Sequence, residues 1–227
     1  MSTADKRSSG RRVRLGVAAG LILIILVAFA WLLFGRSIVP LLGLSDDSVS
    51  QLISERWLQI FYDRSSPDTG PDGNVIIVAF LDYDSADCRE VGIALGKLHD
   101  VDRGVRIVFK ELGEPGSMSE FAARAALAAD RQDGFLSFHK ELTHGPSQLT
   151  ESSVIMAAGM AGLDLERLRA DMNDPVIKKA IEENRSLAQA LGIASPAVII
   201  GHRVLRGAID LASIQAAVAS ERARPSL

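Results

Sequence analysis

The chain has a single cysteine, Cys88, in 227 residues, so it cannot form an internal disulfide. A basic surplus is also missing. Its 25 Lys and Arg stand against 28 Asp and Glu, a formal charge of −3. Nothing in that balance grips a phosphate backbone, and no nucleic-acid partner is expected. The four histidines (His99, His139, His144 and His202) are scattered, none at ligand spacing from another or from Cys88. No metal site and no cofactor are therefore expected. Internal repeats and low-complexity tracts are lacking too. What remains is the composition of an ordinary folded protein, 48% hydrophobic and 23% charged. The length allows one domain plus an appendage.

The appendage is N-terminal. Leu15 to Phe34 are 20 uncharged, mostly apolar residues. As a helix they would span roughly 30 Å, a bilayer core. Lys6, Arg7, Arg11, Arg12 and Arg14 precede the run, and only Arg36 follows closely. The bias puts residues 1–14 in the cytoplasm as a basic tail and everything after the anchor, 15–34, on the far side of the inner membrane, facing the periplasm or exterior. A cleaved signal peptide is the rival reading, with Ala28-Phe29-Ala30 as the cleavage site. The apolar run continues through Trp31 to Phe34, longer than a signal peptide needs, which favours an uncleaved anchor. Either way the folded part is exported. Export makes the lone cysteine notable, because that compartment is oxidising and its domains often pair their thiols.

Residues 35–73 read as a linker carrying one amphipathic helix, about Asp46 to Tyr62, with Val49, Leu52, Ile53, Trp57, Ile60 and Phe61 at helical spacing. That face either packs on the domain or drives self-association into a homo-oligomer. Arg64 to Gly73 is rich in Ser, Pro, Asp and Gly and reads as a loop. Asn74 to Leu81 is an apolar run suited to a strand buried on both faces. A turn over Asp82 to Asp87 leads into a helix ending near His99, and Val105 to Glu111 is a second strand, parallel to the first. Helical signals then fill Ser117–Asp130, Gly134–Leu142, Thr150–Ala161, Leu163–Met172 and Pro175–Leu191. Ser195 to Gly201 is a strand opened by proline, His202 to Arg206 its hairpin partner, and Asp210 caps a last helix to Ala219. The domain is α/β, covers 74–220 and carries a helical insertion at about 117–191. Residues 221–227 are a tail.

The informative stretch is Phe80-Leu81-Asp82-Tyr83-Asp84-Ser85-Ala86-Asp87-Cys88-Arg89, at a strand-to-helix junction. Around it stand Ser66-Pro67, Gly70, Pro71-Asp72-Gly73, Phe109-Lys110-Glu111-Leu112, the alanine-rich run Ala122 to Ala129, Phe138-His139, Ser195-Pro196-Ala197 and Gly207-Ala208. In order and spacing these motifs resemble the DsbA-like disulfide oxidoreductases, in particular the membrane-anchored Com1-like branch, over about residues 50 to 220. The resemblance implies a thioredoxin fold with an inserted helical domain and a thiol-disulfide chemistry. It implies that Pro196 is a cis-proline beside the site and that the backbone of Ser195 pairs with bound substrate. Tyr83 joins this substrate-binding set. Ser85 and Cys88 take the two catalytic motif positions.

The departures from that pattern bear on function. The chemistry needs a thiolate at a helix N-terminus, where the dipole lowers its pKa, and a second thiol one turn later. Here the first position is Ser85, a Ser-x-x-Cys motif, and Cys88 holds the resolving position. The strand acid implied by the resemblance is replaced by Ala79. Asp82, Asp84 and Asp87 crowd the turn, and their negative charge should raise the Cys88 pKa, with Arg89 offsetting part of it; Asp82 belongs to the pattern, so only Asp84 and Asp87 are departures. Ser85 reads as an N-cap, as a hydrogen-bond donor to a substrate sulfur, or as a contact to another ligand. Cys88 reads as an inert buried residue or as a reactive monothiol. His139 reads as structural, and Arg203 and Arg206 as exposed residues near the proline loop.

Three functions follow. The chain is a redox-degenerate domain that binds exported polypeptides or an envelope redox partner in protein folding. Alternatively it is a monothiol isomerase or reductase working through Cys88. Third, it is a glutathione-dependent transferase or isomerase using Ser85. Whether it is an enzyme is left open.

Overall fold

The computed structural model describes residues 46–70, 73–207 and 209–224. The basic tail 1–14, the apolar run 15–34 and the first part of the linker lie outside them. No helix among the described residues is long and apolar enough to cross a membrane.

Two consecutive apolar strands form the centre. β1 (Val75–Leu81) and β2 (Val105–Glu111) are dominated by β-branched and large apolar residues and pair in parallel, Val75 opposite Val105 through Leu81 opposite Glu111. The connecting helix α3 (Ala86–Val101) follows α1 (Asp46–Glu55) and α2 (Trp57–Phe61) in the chain. After β2 come five helices: α4 (Met118–Asp130), α5 (Phe135–His144), α6 (Glu151–Met160), α7 (Leu165–Met172) and α8 (Pro175–Ala190). The hairpin β3 (Ala197–Ile200) and β4 (Arg203–Arg206) and the last helix α9 (Leu211–Arg222) close the domain. The sheet order is β2-β1-β3-β4, with β3 antiparallel to both neighbours. This is the β-α-β, helical block, β-β-α order expected of a thioredoxin fold with an inserted helical domain.

Caps fix where the helices begin. Ser117, Thr150, Asp164, Asp174 and Asp210 each accept a backbone N–H of the first turn from their own side chains. Each such cap stabilises by about 1 kcal/mol. Pro175 follows its cap at the first helical position, where a missing N–H costs nothing.

The two faces of the sheet hold two cores. Ile77, Ala79 and Leu81 with Val105, Ile107 and Phe109 pack against α3, α9 and the insertion. Val78 and Phe80 with Val108 pack against α1, α2 and the end of α8. Six buried alanines of α4 let α5, α6, α7 and α8 approach it closely, as the alanine-rich run leads one to expect.

The structure corrects one element. The expected single helix from Asp46 to Tyr62 is broken at Arg56 into α1 and α2. The break lets Ile60 and Phe61, as well as Val49 and Ile53, reach the sheet, so this face packs on its own domain. The loop that follows lies along the outer edge of β2. Thr69 N–H donates to Ile107, Phe109 N–H donates to Pro67, and Arg106 pairs with Asp68. Covering the edge removes a row of free backbone groups.

Candidate active site at the start of helix α3

Ser85 is the N-cap of α3, with extended backbone angles (φ −88°, ψ 125°), and its hydroxyl accepts from the Cys88 N–H at 3.4 Å. The capping role is thus the one the geometry gives it. Cys88, one turn on, is buried at 2% exposure. The Ser85 and Ser195 hydroxyls and the Asp82 backbone act on its thiol. The Ser195–Pro196 peptide is cis. Pro196 is buried and Ser195 half-buried, so the residues singled out from two distant stretches do meet.

Burial pushes the Cys88 thiol up. The hydrogen bonds from Ser85, Asp82 and Ser195 pull it back in part, and the Asp82 carboxylate adds to the rise. The direction is the expected one, with burial the leading cause. Of the three acids in the turn Asp82 is the one that acts, while Asp84 and Asp87 are exposed. Arg89 is turned inward, where Nη1 donates to the Tyr83 carbonyl at 3.0 Å.

Tyr83, expected in the substrate-binding set, is 2% exposed and lies in the interior. Its hydroxyl lies 3.0 Å from Glu111 Oε1 and 2.8 Å from His139 Nδ1. The reason is the turn after β1, which drops the residue following Asp82 back onto the face that holds Leu81. His139 stacks among Phe109 and Phe135, and burial pushes it down to about 4, so it is neutral near pH 7. Its Nε2 sits beside the Gly92 backbone in α3, short of a well-aligned hydrogen bond.

Glu111 is fully buried. Desolvation lifts its carboxyl to about 8, with the Asp82 charge adding to the rise and the Tyr83 hydrogen bond opposing it. The Tyr83 hydroxyl donates to Glu111 Oε1, and Oε2 has no partner among the described residues. A phenol has one proton, so at 2.8 Å the His139 Nδ1–H donates to the Tyr83 oxygen. The result is an uncharged chain, Glu111 to Tyr83 to His139, beneath the start of α3.

Sequence reasoning did not single out Glu111 as a site residue. The signal was the strand's period of two, which puts it on the same face as Val105, Ile107 and Phe109. Ala79, which stands where the resemblance implies an acid, pairs with Phe109. Glu111 therefore lies one strand over and two residues along, on the same face. The backbone on either side of that acid is held by α8, where Asn184 Nδ2 donates to the Glu111 carbonyl and Arg185 to the Gly113 carbonyl. Arg206 lies opposite Ala197 across the hairpin, its guanidinium directed to Asp46.

Comparison with known proteins agrees with this architecture. A thioredoxin-like oxidoreductase from Silicibacter pomeroyi DSS-3 is 34% identical, covering 74% of this chain and 98% of its own, with a TM-score of 0.70. The catalytic domain of Proteus mirabilis ScsC is 25% identical over 77% of this chain and 99% of its own, TM-score 0.68. The thiol-disulfide exchange protein alpha-DsbA2 from Wolbachia pipientis is 25% identical over 77% and 96%, TM-score 0.71. A Na(+)/H(+) antiporter NhaA from Herminiimonas arsenicoxydans is 28% identical over 159 residues, and the chain spans a quarter of that protein's length. The DSBA-like thioredoxin domain model matches residues 97–219, more than half of the chain. With the helical insertion, the cis-proline loop and the capped helix beside it, this chain belongs to the DSBA-like thioredoxin domain family.

Proposed function

We propose that this chain is an exported, membrane-anchored protein of the Com1-like branch whose Ser-x-x-Cys site no longer oxidises thiols. It holds extended segments of exported polypeptides, or an envelope redox partner, at the backbone edge beside Ser195 and Pro196. Residues 15–34 anchor it in the inner membrane and the domain faces the periplasm or exterior.

The observation that carries this reading is the state of Cys88. A nucleophilic thiolate needs exposure and a lowered pKa. Cys88 is buried, its thiol is pushed up, and no second cysteine exists in the chain to resolve a mixed disulfide. What the site offers instead is two hydroxyls and a proline-led strand edge.

The test mixes the protein with a fluorescent extended peptide that carries two reduced cysteines, in glutathione disulfide buffer. The expected result is binding, seen as raised anisotropy and weakened by Ser195→Trp, with no acceleration of peptide oxidation. Turnover lost in Cys88→Ala overturns the reading in favour of a monothiol enzyme. Capture on immobilised glutathione, lost in Ser85→Ala, overturns it in favour of a glutathione-dependent one.

A further inference from the structure

The insertion contains a second feature that the site above does not use. Between α4, α6 and α7 lies an open groove of about 950 Å³. Helix α6 has apolar residues on nearly every side. Val154, Ala157 and Ala158 face the core, while Met156 and Met160 are 61% and 65% exposed along the groove. A helix apolar all round is ordinarily covered on all sides. Exposed methionines one turn apart form an adaptable apolar surface of the kind that accepts varied side chains.

The charges identify the cover. Arg124 lines the groove with its Nε buried and without a hydrogen-bond partner among the described residues. Arg169, on the facing helix, has no ion-pair partner among them either. Glu151 is the one acid among the lining residues, so the groove is net positive in a chain of net charge −3. Two guanidiniums that border an apolar surface without ion-pair partners among the described residues are matched best by carboxylates. The groove is open and not an enclosed cavity, which suits a helix laid along it and not a lipid tail, which needs burial on most of its surface.

We infer that the α4–α6–α7 groove is a docking site for an amphipathic helix of a partner protein that presents apolar and acidic side chains. The helix sets its apolar stripe on Met156, Met160 and Phe121, and its carboxylates on Arg124 and Arg169. This is a site apart from the cis-proline edge, and it stands or falls independently of the function proposed there.

The test uses the full-length chain in lipid nanodiscs and a fluorescein-labelled amphipathic peptide of Leu, Phe and Glu. A second peptide has Lys at each Glu position. The expected result is binding of the acidic peptide alone. Its Kd rises about tenfold or more in Arg124→Gln/Arg169→Gln, from lost charge-assisted hydrogen bonds. The same loss is expected in Gly159→Leu, where an added Cβ meets nothing within 4 Å and the side chain is directed to fill the groove. An unchanged Tm for Gly159→Leu establishes that the fold is intact, and Ser195→Trp leaves this binding as it is. Equal binding of the Lys peptide, wild-type affinity in either groove variant, or no binding of the acidic peptide overturns the inference. Dimerisation of the chain that Gly159→Leu abolishes overturns it in favour of a second copy as the occupant.

Discussion

Ser195, in the cis-proline loop, acts on the thiol of Cys88 in the first turn of α3. The Ser195 contact lowers the thiol's pKa against the stronger effect of burial. Removing it with Ser195→Ala leaves burial less opposed, so the pKa rises further. The expected outcome is slower alkylation of Cys88 at a fixed mildly alkaline pH than in the wild type, measured by mass spectrometry. Faster alkylation would mean that the loop shields the thiol more than it stabilises the thiolate.

Ser85 carries two separable predictions at one position. Ser85→Ala removes the N-cap acceptor and is expected to cost about 1 kcal/mol in denaturant unfolding. Ser85→Cys restores two thiols one turn apart at a helix N-terminus. The new thiol is the half-exposed one, where the dipole favours a thiolate. An oxidised Ser85→Cys protein is expected to show a disulfide between the introduced thiol and Cys88 on mass spectrometry and to oxidise a reduced peptide measurably, where the wild type does not. Absence of the disulfide would show that residues beyond the missing thiol block the chemistry.

Glu111 sets a pH dependence of stability. Its folded value, about 8, lies above the ordinary 4.5. The folded state therefore holds a proton that the unfolded chain releases, and stability falls as pH rises across that interval. His139 works the other way, its folded value of about 4 lying below the ordinary 6.5, so stability is lost as pH falls between them. The two oppose each other up to pH 6.5, which leaves about 6.5 to 8 as the window where Glu111 acts without His139. A loss on the order of 1–2 kcal/mol is expected there. Glu111→Gln keeps an acceptor for the Tyr83 hydroxyl and removes the titration, so its stability should be flat over the same window in urea titrations. A slope unchanged in the variant would place the titration elsewhere.

On the opposite face of the sheet, Lys110 is buried and donates to the Gln59 carbonyl at 3.1 Å and to Asp63 Oδ2 at 2.6 Å, tying the end of α2 to β2. Burial raises the Asp63 carboxyl, but its bonds to Lys110 and Ser65 outweigh that and hold it at about 2. Asp63→Ala leaves an ammonium buried and uncompensated, with an expected cost of about 3–5 kcal/mol. Lys110→Met/Asp63→Leu replaces both charges with apolar groups and should cost far less, since a buried pair is weak evidence of net stabilisation. Thermal unfolding of the two variants side by side distinguishes these outcomes.

Most of the fold was legible because its elements carry strong local signals. The continuous apolar runs of β1 and β2, the helix starts at Ser117 and Thr150 and the cap at Asp210 each coincide with an element edge or its first turn. The break at Arg56 was not legible, because the apolar spacing of α1 runs on into α2 and only the sheet beneath decides the aim of Ile60 and Phe61. At the site, Ser85 and Ser195 both act on Cys88, while Tyr83 is buried beneath it. Its role depends on Glu111 and His139, partners 28 and 56 residues away that no local pattern links to it. Of the three acids in the turn only Asp82 acts on Cys88, and counting acids says nothing of which of them the turn directs inward.

The central claim is that this site does not carry a working thiolate. The direct measurement is the pH dependence of Cys88 alkylation in the native protein, with peptide-dithiol oxidation followed in parallel. The account predicts a thiol pKa above that of an unhindered cysteine, and no oxidation above the uncatalysed rate. A thiol pKa below about 7 together with turnover would contradict it.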